Sequence, residues 1–162
     1  MKVLIISDIH DDFESLKIAI TNHPKIDYLI LLGDLGYYND KVFDLLNLFK
    51  DIIISVKGNN DLYNDLIKFK NDDYYQTISI DNKTWFLTHG HMYNEYNLPK
   101  VDFDIYLQGH THRAKIEKKN KLYLNPGSIS LPRNGIKTYL YYEDNTFYLE
   151  NLNKEVLEKI SI

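Results

Sequence analysis

The sequence predicts a single α/β domain whose first third alternates strands and helices and whose remainder is mostly β. Runs of four to six apolar residues, each closed by glycine or a small polar residue, recur along the chain and are typical of buried strands. Segments with apolar residues at helical spacing separate the first three runs, and after Asp72 short strands alternate with tight turns. No linker, internal repeat or low-complexity tract interrupts the 162 residues, so we expect one domain spanning residues 1–162.

The first third is predicted as β-α-β-α-β-α. A strand over Lys2–Ser7 leads into a helix over Asp11–Asn22, which His23 and Pro24 end. Because His23 precedes a proline at a helix end, we expect its side chain on the surface. The same patterns predict strands over Tyr28–Leu32 and Asp51–Val56 and helices over Lys41–Lys50 and Asp61–Phe69.

The later residues are predicted to form hairpins followed by a short helix. Asp81-Asn82 and Asp144-Asn145 are turn dipeptides between runs of alternating or apolar residues, which is typical of hairpins. We expect the closing helix over Lys154–Ile160. The predicted strand pairs are Tyr75–Ile80 with Thr84–Thr88, Ala114–Glu117 with Leu122–Asn125, and Thr138–Glu143 with Thr146–Glu150.

Composition excludes several classes of protein. The chain has no cysteine, so disulfide and thiolate chemistry are excluded. A formal net charge of −4 argues against an extended surface for nucleic acid, and no apolar run approaches the roughly 18 residues that a membrane span needs. The N-terminus runs directly into a strand and a carboxylate, unlike a signal peptide, so we expect a cytoplasmic protein without a membrane partner.

Five short segments that carry metal-ligand side chains each follow one of the apolar runs. In α/β sheets, ligands bind beyond the carboxyl ends of the strands, so we expect these side chains to meet at one edge. Taken singly, such residues are normally turn and cap residues; taken together they indicate a metal site. The segments are Asp8-Ile9-His10, Gly33-Asp34, Gly58-Asn59-Asn60-Asp61, His89-Gly90-His91 and Gly109-His110-Thr111-His112.

The mixture of carboxylate, amide and imidazole groups predicts a centre for borderline divalent metals. Ca²⁺ and Mg²⁺ prefer shells made of oxygen alone, whereas Mn²⁺, Fe²⁺ and Zn²⁺ accept nitrogen as well. A single catalytic zinc needs only about three protein ligands, so the larger set here favours two metals that share a carboxylate. Two ions roughly 3.5–4 Å apart can activate a bridging water and stabilise both oxygens of an in-line phosphoryl displacement.

In order and spacing, the five segments resemble the motifs of the calcineurin-like metallophosphoesterases, in particular their small single-domain bacterial and archaeal phosphodiesterases. The match runs from Asp8 to about Arg133 and closes with Gly-His-Thr-His, so it covers most of the chain. The resemblance implies a four-layer α-β-β-α sandwich of two mixed β-sheets. The stretch from His91 to Val101, which contains Pro99, is short for the helix that many relatives have there.

The resemblance also implies a role for each candidate ligand. Asp34 would bridge two metal ions, and a hydroxide held between them would attack the phosphorus. Mn²⁺ is the expected metal, with Fe²⁺, Zn²⁺ and Ni²⁺ as alternatives. The first ion would be held by Asp8, His10 and His112, and the second by Asn59, His89 and His110.

The leaving-group acid is the one departure from the family pattern. Many relatives carry His directly after Gly-Asn, where it is thought to protonate the leaving oxygen, and here that residue is Asn60. An amide donates no proton at neutral pH. A general-acid contribution to the rate, worth roughly 10²–10⁴-fold, would therefore be absent. Asp61 is a candidate for orienting Asn60 or a water molecule. His91 is a candidate for supporting the metal ligands or for replacing the acid.

A metal-dependent phosphodiesterase acting on small phosphodiesters is the main functional hypothesis. A phosphomonoesterase is one alternative. A second alternative is a non-catalytic scaffold, because the retromer subunit with this fold binds proteins and has an eroded ligand set. The ligand set is complete here, which favours the enzyme. The oligomeric state stays open; because relatives form dimers and tetramers, a homodimer and a homotetramer are the candidate assemblies.

Overall fold

Two mixed β-sheets pack against each other, as the resemblance implied. The computed structural model describes residues 1–37, 39–61 and 73–162. In these ranges the helices are α1 (Phe13–Asn22) and α2 (Asp40–Asn47). The strands are β1 (Lys2–Ile6), β2 (Tyr28–Leu31), β3 (Ile53–Ser55), β4 (Tyr75–Ile80), β5 (Lys83–Thr88), β6 (Ile105–Gln108), β7 (Lys115–Lys118), β8 (Leu122–Asn125), β9 (Thr138–Glu143), β10 (Thr146–Asn151) and β11 (Val156–Ser161).

The first sheet contains strands from both ends of the described chain, in the order β11-β10-β9-β1-β2-β3. Strands β1, β2 and β3 are parallel, so their carboxyl ends lie at the same edge. Strand β9 runs antiparallel beside β1, and β10 and β11 continue outward as an antiparallel meander. The alternating strands and helices of the first third therefore form the parallel half of this sheet.

The second sheet has the order β4-β5-β6-β8-β7. Its three central strands, β5, β6 and β8, are parallel. The β4–β5 and β7–β8 pairs are antiparallel hairpins, as the sequence predicted. The carboxyl ends of β5 and β6 consequently share an edge, which brings the segments around His89 and His110 together.

Both faces of the first sheet are buried at β1, because one face meets the second sheet and the other meets the helices. Along β1, Val3 and Ile5 belong to the core between the sheets, whereas Leu4 and Ile6 belong to the core beneath the helices. This alternation explains why β1 is apolar from Val3 to Ile6. Between the sheets, the Trp85 ring meets the Tyr142 ring edge to face, with centroids 4.9 Å apart.

Each helix begins directly after a capping side chain. The Asp12 carboxylate accepts a hydrogen bond from Ser15 N at 3.0 Å, so α1 begins at Phe13. The Asn39 amide oxygen accepts from Lys41 N at 3.2 Å and caps α2 in the same way. Within the described ranges, neither helix is long and apolar enough to span a membrane.

An aromatic cluster covers the outer face of the second sheet. Phe86, Phe103 and Tyr106 are buried there, and the loop residues Tyr93 and Leu98 pack against them. No helix occurs between residues 91 and 101, which agrees with the short length of that stretch. Loop residues therefore take the place of a helical layer over this part of the sheet.

The predicted helix over Lys154–Ile160 is wrong, because this segment contributes to the edge strand β11. Ile160 pairs with Phe147 of β10, and Phe147 belongs to the core between the sheets. A helix of so few residues has little stability of its own. Pairing with β10 instead gives the backbone of this segment hydrogen-bond partners along one side. It also packs Ile160 against the core.

The expected surface position of His23 is also wrong. Its side chain is 6% exposed, and its Nε2 lies 2.8 Å from a carboxylate oxygen of Glu150. The Tyr139 hydroxyl donates to the same oxygen at 2.9 Å, and the Tyr141 ring stacks on the imidazole with centroids 3.8 Å apart. His23 and Glu150 lie 127 residues apart in the chain, so no local pattern indicates the pairing.

The helix predicted over Asp61–Phe69 falls almost entirely outside the described residues. Asp61 alone of that segment is described, and it lies in the loop after β3. The prediction of a third helix therefore stays a prediction.

Glu150→Ala is expected to destabilise the fold, because it leaves the buried His23 and Tyr139 side chains without their shared acceptor. We expect the free energy of unfolding to fall by about 1–3 kcal/mol, with a fall in Tm of about 2–4 °C per kcal/mol. Denaturant unfolding measures the change. Glu158→Ala, an exposed position on β11, is the control. Equal stabilities of the two variants would contradict a structural role for Glu150.

Candidate metal centre

The loops that follow β1, β2, β3, β5 and β6 meet at one edge of the sandwich. The backbone N–H of Asp8 donates to Gly33 O at 3.1 Å, which joins the loops after β1 and β2. The backbone N–H of His110 donates to Asp8 Oδ2 at 3.0 Å, which joins the second sheet to the first. The five predicted ligand segments therefore come together as their positions after strands implied.

Asp8, His10 and His112 form the first group of candidate ligands. Asp8 Oδ1 lies 3.1 Å from His112 Nε2 and 3.8 Å from His10 Nε2. The two Nε2 atoms are 3.3 Å apart. The ligand atoms of this group all lie within 4.8 Å of one another, which is compatible with a single metal ion.

A second group surrounds His89 on the other side of Asp34. His89 Nε2 lies 3.0 Å from Asn59 Oδ1 and 3.2 Å from His110 Nδ1. Asp34 Oδ1 is 3.4 Å from His89 Nε2, while Asp34 Oδ2 is 3.8 Å from His10 Nε2. The two oxygens of Asp34 thus face different groups, which is the placement that a bridging carboxylate needs.

One buried oxygen in the first group has no hydrogen-bond partner among the described residues. Asp8 Oδ2 accepts hydrogen bonds from Ser7 Oγ at 2.6 Å and from His110 N. Asp8 Oδ1 is buried and accepts no hydrogen bond from any described residue. Leaving a buried carboxylate oxygen without a partner is unfavourable. A divalent cation among Asp8, His10 and His112 would satisfy it, so the donor set fits a metal ion.

Backbone carbonyls fix the tautomers of two imidazoles. His89 Nδ1 donates to Leu32 O at 2.7 Å, and His112 Nδ1 donates to Leu131 O at 2.7 Å. In the neutral ring, each hydrogen bond leaves the Nε2 lone pair directed toward the site. Both side chains are therefore oriented as metal ligands before any metal binds.

Asp34 and His89 influence each other's protonation strongly. Burial alone would raise the pKa of Asp34, but the hydrogen bond and charge of His89, with donors from Asn60, hold this pKa well below its usual range. Burial alone would lower the pKa of His89, but Asp34 outweighs it and raises this pKa. A cation bound at Nε2 would take over the role of the proton, so metal binding would release a proton from this pair.

Several candidate ligands occupy left-handed backbone conformations, which non-glycine residues seldom adopt. Such strained conformations persist where the surrounding structure holds them, and they cluster at functional sites. The strain here turns side chains at the ends of buried strands toward a common centre. The ligands concerned, with their φ angles, are Asp8 (55°), His10 (45°), Asp34 (56°), His110 (66°) and His112 (56°).

Two glycines allow the loops to approach one another closely. A Cβ at Gly58 would collide with the backbone N and Oδ1 of Asp34. A Cβ at Gly109 would collide with the hydroxyl of Ser7. Larger residues at either position would push apart the loops that carry the ligands.

Asn60 binds the carboxylate of Asp34 through both its backbone and its side chain. Its backbone N–H donates to Asp34 Oδ1 at 2.8 Å, and its Nδ2 donates to Asp34 Oδ2 at 2.7 Å. The Tyr37 hydroxyl donates to Asn60 Oδ1 at 2.9 Å. Asn60 therefore lies beside the predicted bridging ligand and holds it.

Asp61 lies behind the ligand loops rather than facing the centre. Its buried carboxylate accepts three backbone hydrogen bonds, from Asp34 N, Leu35 N and Gly58 N, at 2.7–2.8 Å. Burial raises the pKa of Asp61 above its usual value even though these donors oppose the effect. This arrangement fixes the loops after β2 and β3 relative to each other. Asp61 thus supports Asp34 and the Asn59-Asn60 segment.

His91 lies next to the imidazole ligands. Its ring centroid is 5.4 Å from that of His89 and 6.2 Å from that of His110. Its Nδ1 is buried and has no hydrogen-bond partner among the described residues. Burial, together with the neighbouring His89 and His110, lowers the pKa of His91. A neutral ring beside the ligands fits the supporting role, whereas as the acid His91 would have to be protonated against this lowered pKa.

Small polar residues outside the five predicted ligand segments hold the ligand loops in place. Ser128 Oγ and Ser130 Oγ both donate to the backbone carbonyl of Asp8, at 2.8 and 2.9 Å. Asn125 Nδ2 donates to Gly109 O at 3.0 Å. The position of Asn125 indicates this role, because it ends β8, a buried strand that is parallel to β6. It was hard to interpret because Asn-Pro-Gly-Ser is also an ordinary turn sequence.

Comparisons with known proteins agree with this geometry. The calcineurin-like phosphoesterase superfamily domain matches residues 1–146. Phosphodiesterase YfcE of Escherichia coli (strain K12) is 31% identical over 152 residues, covering 83% of each chain. Phosphodiesterase MJ0936 of Methanocaldococcus jannaschii is 31% identical over 152 residues, covering 85% of this chain and 90% of the relative.

Solved structures of similar proteins have the same fold as this chain. The structure of the E. coli phosphoesterase YfcE superposes with a TM-score of 0.91 over 100% of both chains, at 26% identity. A single-residue variant of Vps29 from Entamoeba histolytica superposes with a TM-score of 0.75 over 100% of this chain and 99% of that chain. Because the two sequences are only 23% identical, this comparison shows a similar fold and nothing about function.

The family match covers well over half of the chain, and the ligand loops of the family pattern meet in one place. The prediction of a phosphoesterase enzyme, made from the order of the five segments, is confirmed. The chain therefore belongs to the calcineurin-like phosphoesterase superfamily.

Proposed function

We propose that this chain is a dinuclear-metal-dependent phosphodiesterase that hydrolyses small phosphodiesters by in-line displacement. The observation that carries the proposal is the position of Asp34, whose two oxygens lie 3.4 Å from His89 Nε2 and 3.8 Å from His10 Nε2. A carboxylate between two sets of nitrogen and oxygen ligands suits two ions that share it. The names of the E. coli and M. jannaschii relatives support the substrate class.

The proposed assignment divides the ligands between two ions. Mn²⁺ is the proposed metal, because nitrogen and oxygen donors without thiolate suit it, and Fe²⁺, Zn²⁺ and Ni²⁺ are the alternatives. When bound, two such ions activate water and neutralise charge on the phosphoryl oxygens. Asp34 would be shared, the first ion would bind Asp8, His10 and His112, and the second would bind Asn59, His89 and His110.

The remaining side chains would bind and orient the substrate. Asn59 is exposed at the site, and its amide can offer oxygen to a metal and N–H to a phosphate oxygen. Asn60 would donate a hydrogen bond without transferring a proton, so departure of the leaving group would depend on its own stability. His91 stays a candidate for the acid, and Asp61 holds the loops that carry Asn59 and Asn60.

The scaffold alternative has one observation in its favour, the likeness of fold to Vps29. The complete set of candidate ligands and the buried, unpartnered Asp8 Oδ1 favour the enzyme. A phosphomonoesterase would use the same ligands and differs only in the substrate. A cytoplasmic location and a homodimeric or homotetrameric state stay predictions from the sequence.

Metal content tests the dinuclear proposal directly. Purified protein loaded with Mn²⁺ is expected to hold about two equivalents, and removal with a chelator should abolish diester hydrolysis until metal is restored. Elemental analysis and activity on a nitrophenyl phosphodiester measure the two effects. Well under one equivalent of any transition metal would favour the scaffold.

Asp34→Asn is expected to weaken both metal sites, because it removes a negative charge from between two cations. Loss of a supporting interaction alone costs roughly 10- to 100-fold in affinity or activity, and loss of a shared ligand should exceed this. His112→Ala should affect mainly one of the two ions. Metal titrations of the two variants separate these outcomes, and two tightly bound ions in Asp34→Asn would rule out the bridging assignment.

The rate of hydrolysis is expected to fall steeply as the leaving-group pKa rises, because Asn60 cannot donate a proton. A nitrophenyl diester should react readily and an alkyl diester far more slowly. Asn60→His should restore part of a general-acid contribution of roughly 10²–10⁴-fold for the alkyl diester and change the nitrophenyl rate little. A flat dependence in the wild type that His91→Ala abolishes would identify His91 as the acid.

A further inference from the structure

A chain of hydrogen bonds with a single possible direction connects Tyr37 to Asp34. An ionised carboxylate only accepts, so the atom of the Asn60 amide that faces Asp34 Oδ2 at 2.7 Å must be the NH₂ group. The Asn60 oxygen then faces Tyr37 and can only accept, so the Tyr37 hydroxyl must donate across the 2.9 Å contact. The donors and acceptors leave no other arrangement.

Tyr37 itself is held by a turn that joins the β1 and β2 loops. The Asp11 carboxylate accepts from Tyr37 N at 3.0 Å and from Asn39 N at 3.1 Å, and Asn39 Nδ2 donates to Asp11 O at 2.8 Å. Gly36 has a φ of 128°, and a Cβ there would collide with Asp11. Because Asn39 also caps α2, the backbone that carries the phenol is fixed to the framework of the first sheet.

We infer that Tyr37 is a positioning residue for the bridging carboxylate, acting through Asn60. Without the phenol, the Asn60 amide loses the donor that favours one of its two orientations. In the reversed orientation, its oxygen would face an Asp34 oxygen and repel it. Tyr37 therefore keeps Asp34 turned so that its two oxygens face His89 and His10. The inference rests on the proposed function, since it concerns the ligand that the two ions would share.

The same network determines what Asn60 can offer to a substrate. One N–H of its NH₂ group binds Asp34 and its oxygen binds Tyr37, so one N–H remains for a phosphoryl oxygen. Many relatives have a proton donor at this position. In this chain the same position has a hydrogen-bond donor whose direction is fixed. Tyr37 acts on the reaction through this geometry and through Asp34, and it transfers no proton.

Tyr37→Phe tests the inference, with Tyr148→Phe as the matched control. Tyr148 is a half-buried tyrosine on β10, two strands away from β1. We expect Tyr37→Phe to lower the affinity of the metal-free protein for Mn²⁺ by roughly 10- to 100-fold, the range for a residue that orients a ligand. Calorimetric titration with Mn²⁺ measures this. The Tm of the metal-free protein should match that of the control, which excludes a general loss of stability.

Two further measurements separate positioning from other roles. Tyr37→Phe should add little to the effect of Asn60→Ala, because both remove the same connection. Its rate loss should be the same for nitrophenyl and alkyl diesters. Unchanged Mn²⁺ affinity, or additive effects in the double variant, would overturn the inference. A loss that grows with leaving-group pKa would also overturn it and would identify Tyr37 as the acid.

The outcomes distinguish this inference from the proposed function. A wild-type protein that binds Mn²⁺ and cleaves diesters, with Tyr37→Phe unaltered in both respects, would refute the role of Tyr37 alone. Loss of Mn²⁺ affinity in Tyr37→Phe without diester hydrolysis by the wild type would refute the proposed reaction and keep the positioning role. A wild type that binds no Mn²⁺ would refute both.

Discussion

The carboxylate of Asp8 joins the two sheets at the edge where the candidate metal centre lies. One of its oxygens accepts from Ser7 and from the backbone N–H of His110, so the end of β1 is tied to the loop after β6. Its backbone carbonyl accepts from Ser128 and Ser130, which ties the same residue to the loop after β8. The other oxygen is left facing His10 and His112. A single residue therefore aligns both sheets and presents a candidate ligand.

Buried negative charge explains much of the remaining arrangement. Asp8, Asp34 and Asp61 are all buried, and a buried carboxylate is unfavourable unless donors or cations surround it. Asp61 meets this requirement with three backbone N–H groups, so it serves to hold the loops. Asp34 meets it with Asn60 and His89. Metal ions would complete the neutralisation of Asp8 and Asp34.

The use of Asn60 shows how this chain differs from many members of its family. A histidine at that position can supply a proton, whereas Asn60 places its side chain between Tyr37 and Asp34. An amide that both donates and accepts can connect a phenol to a carboxylate, which an acceptor-only or donor-only side chain cannot. In this chain the residue at that position consequently holds the Asp34 carboxylate and has no proton to donate at neutral pH.

The sequence by itself determined most of the strands, the first two helices and which candidate ligands follow buried strands. Apolar runs specify buried strands and the residues after them, so Asp8, Asp34, His89 and the His110-Thr111-His112 segment could be placed at one edge before any coordinates. The pairing of distant segments was decided only by the tertiary structure. Glu150 contacts His23, which lies 127 residues away in the chain. Pairing with β10 makes the closing segment an edge strand. Hydrogen-bond networks such as Tyr37–Asn60–Asp34 depend on atom positions within a few tenths of an ångström, which residue patterns do not encode.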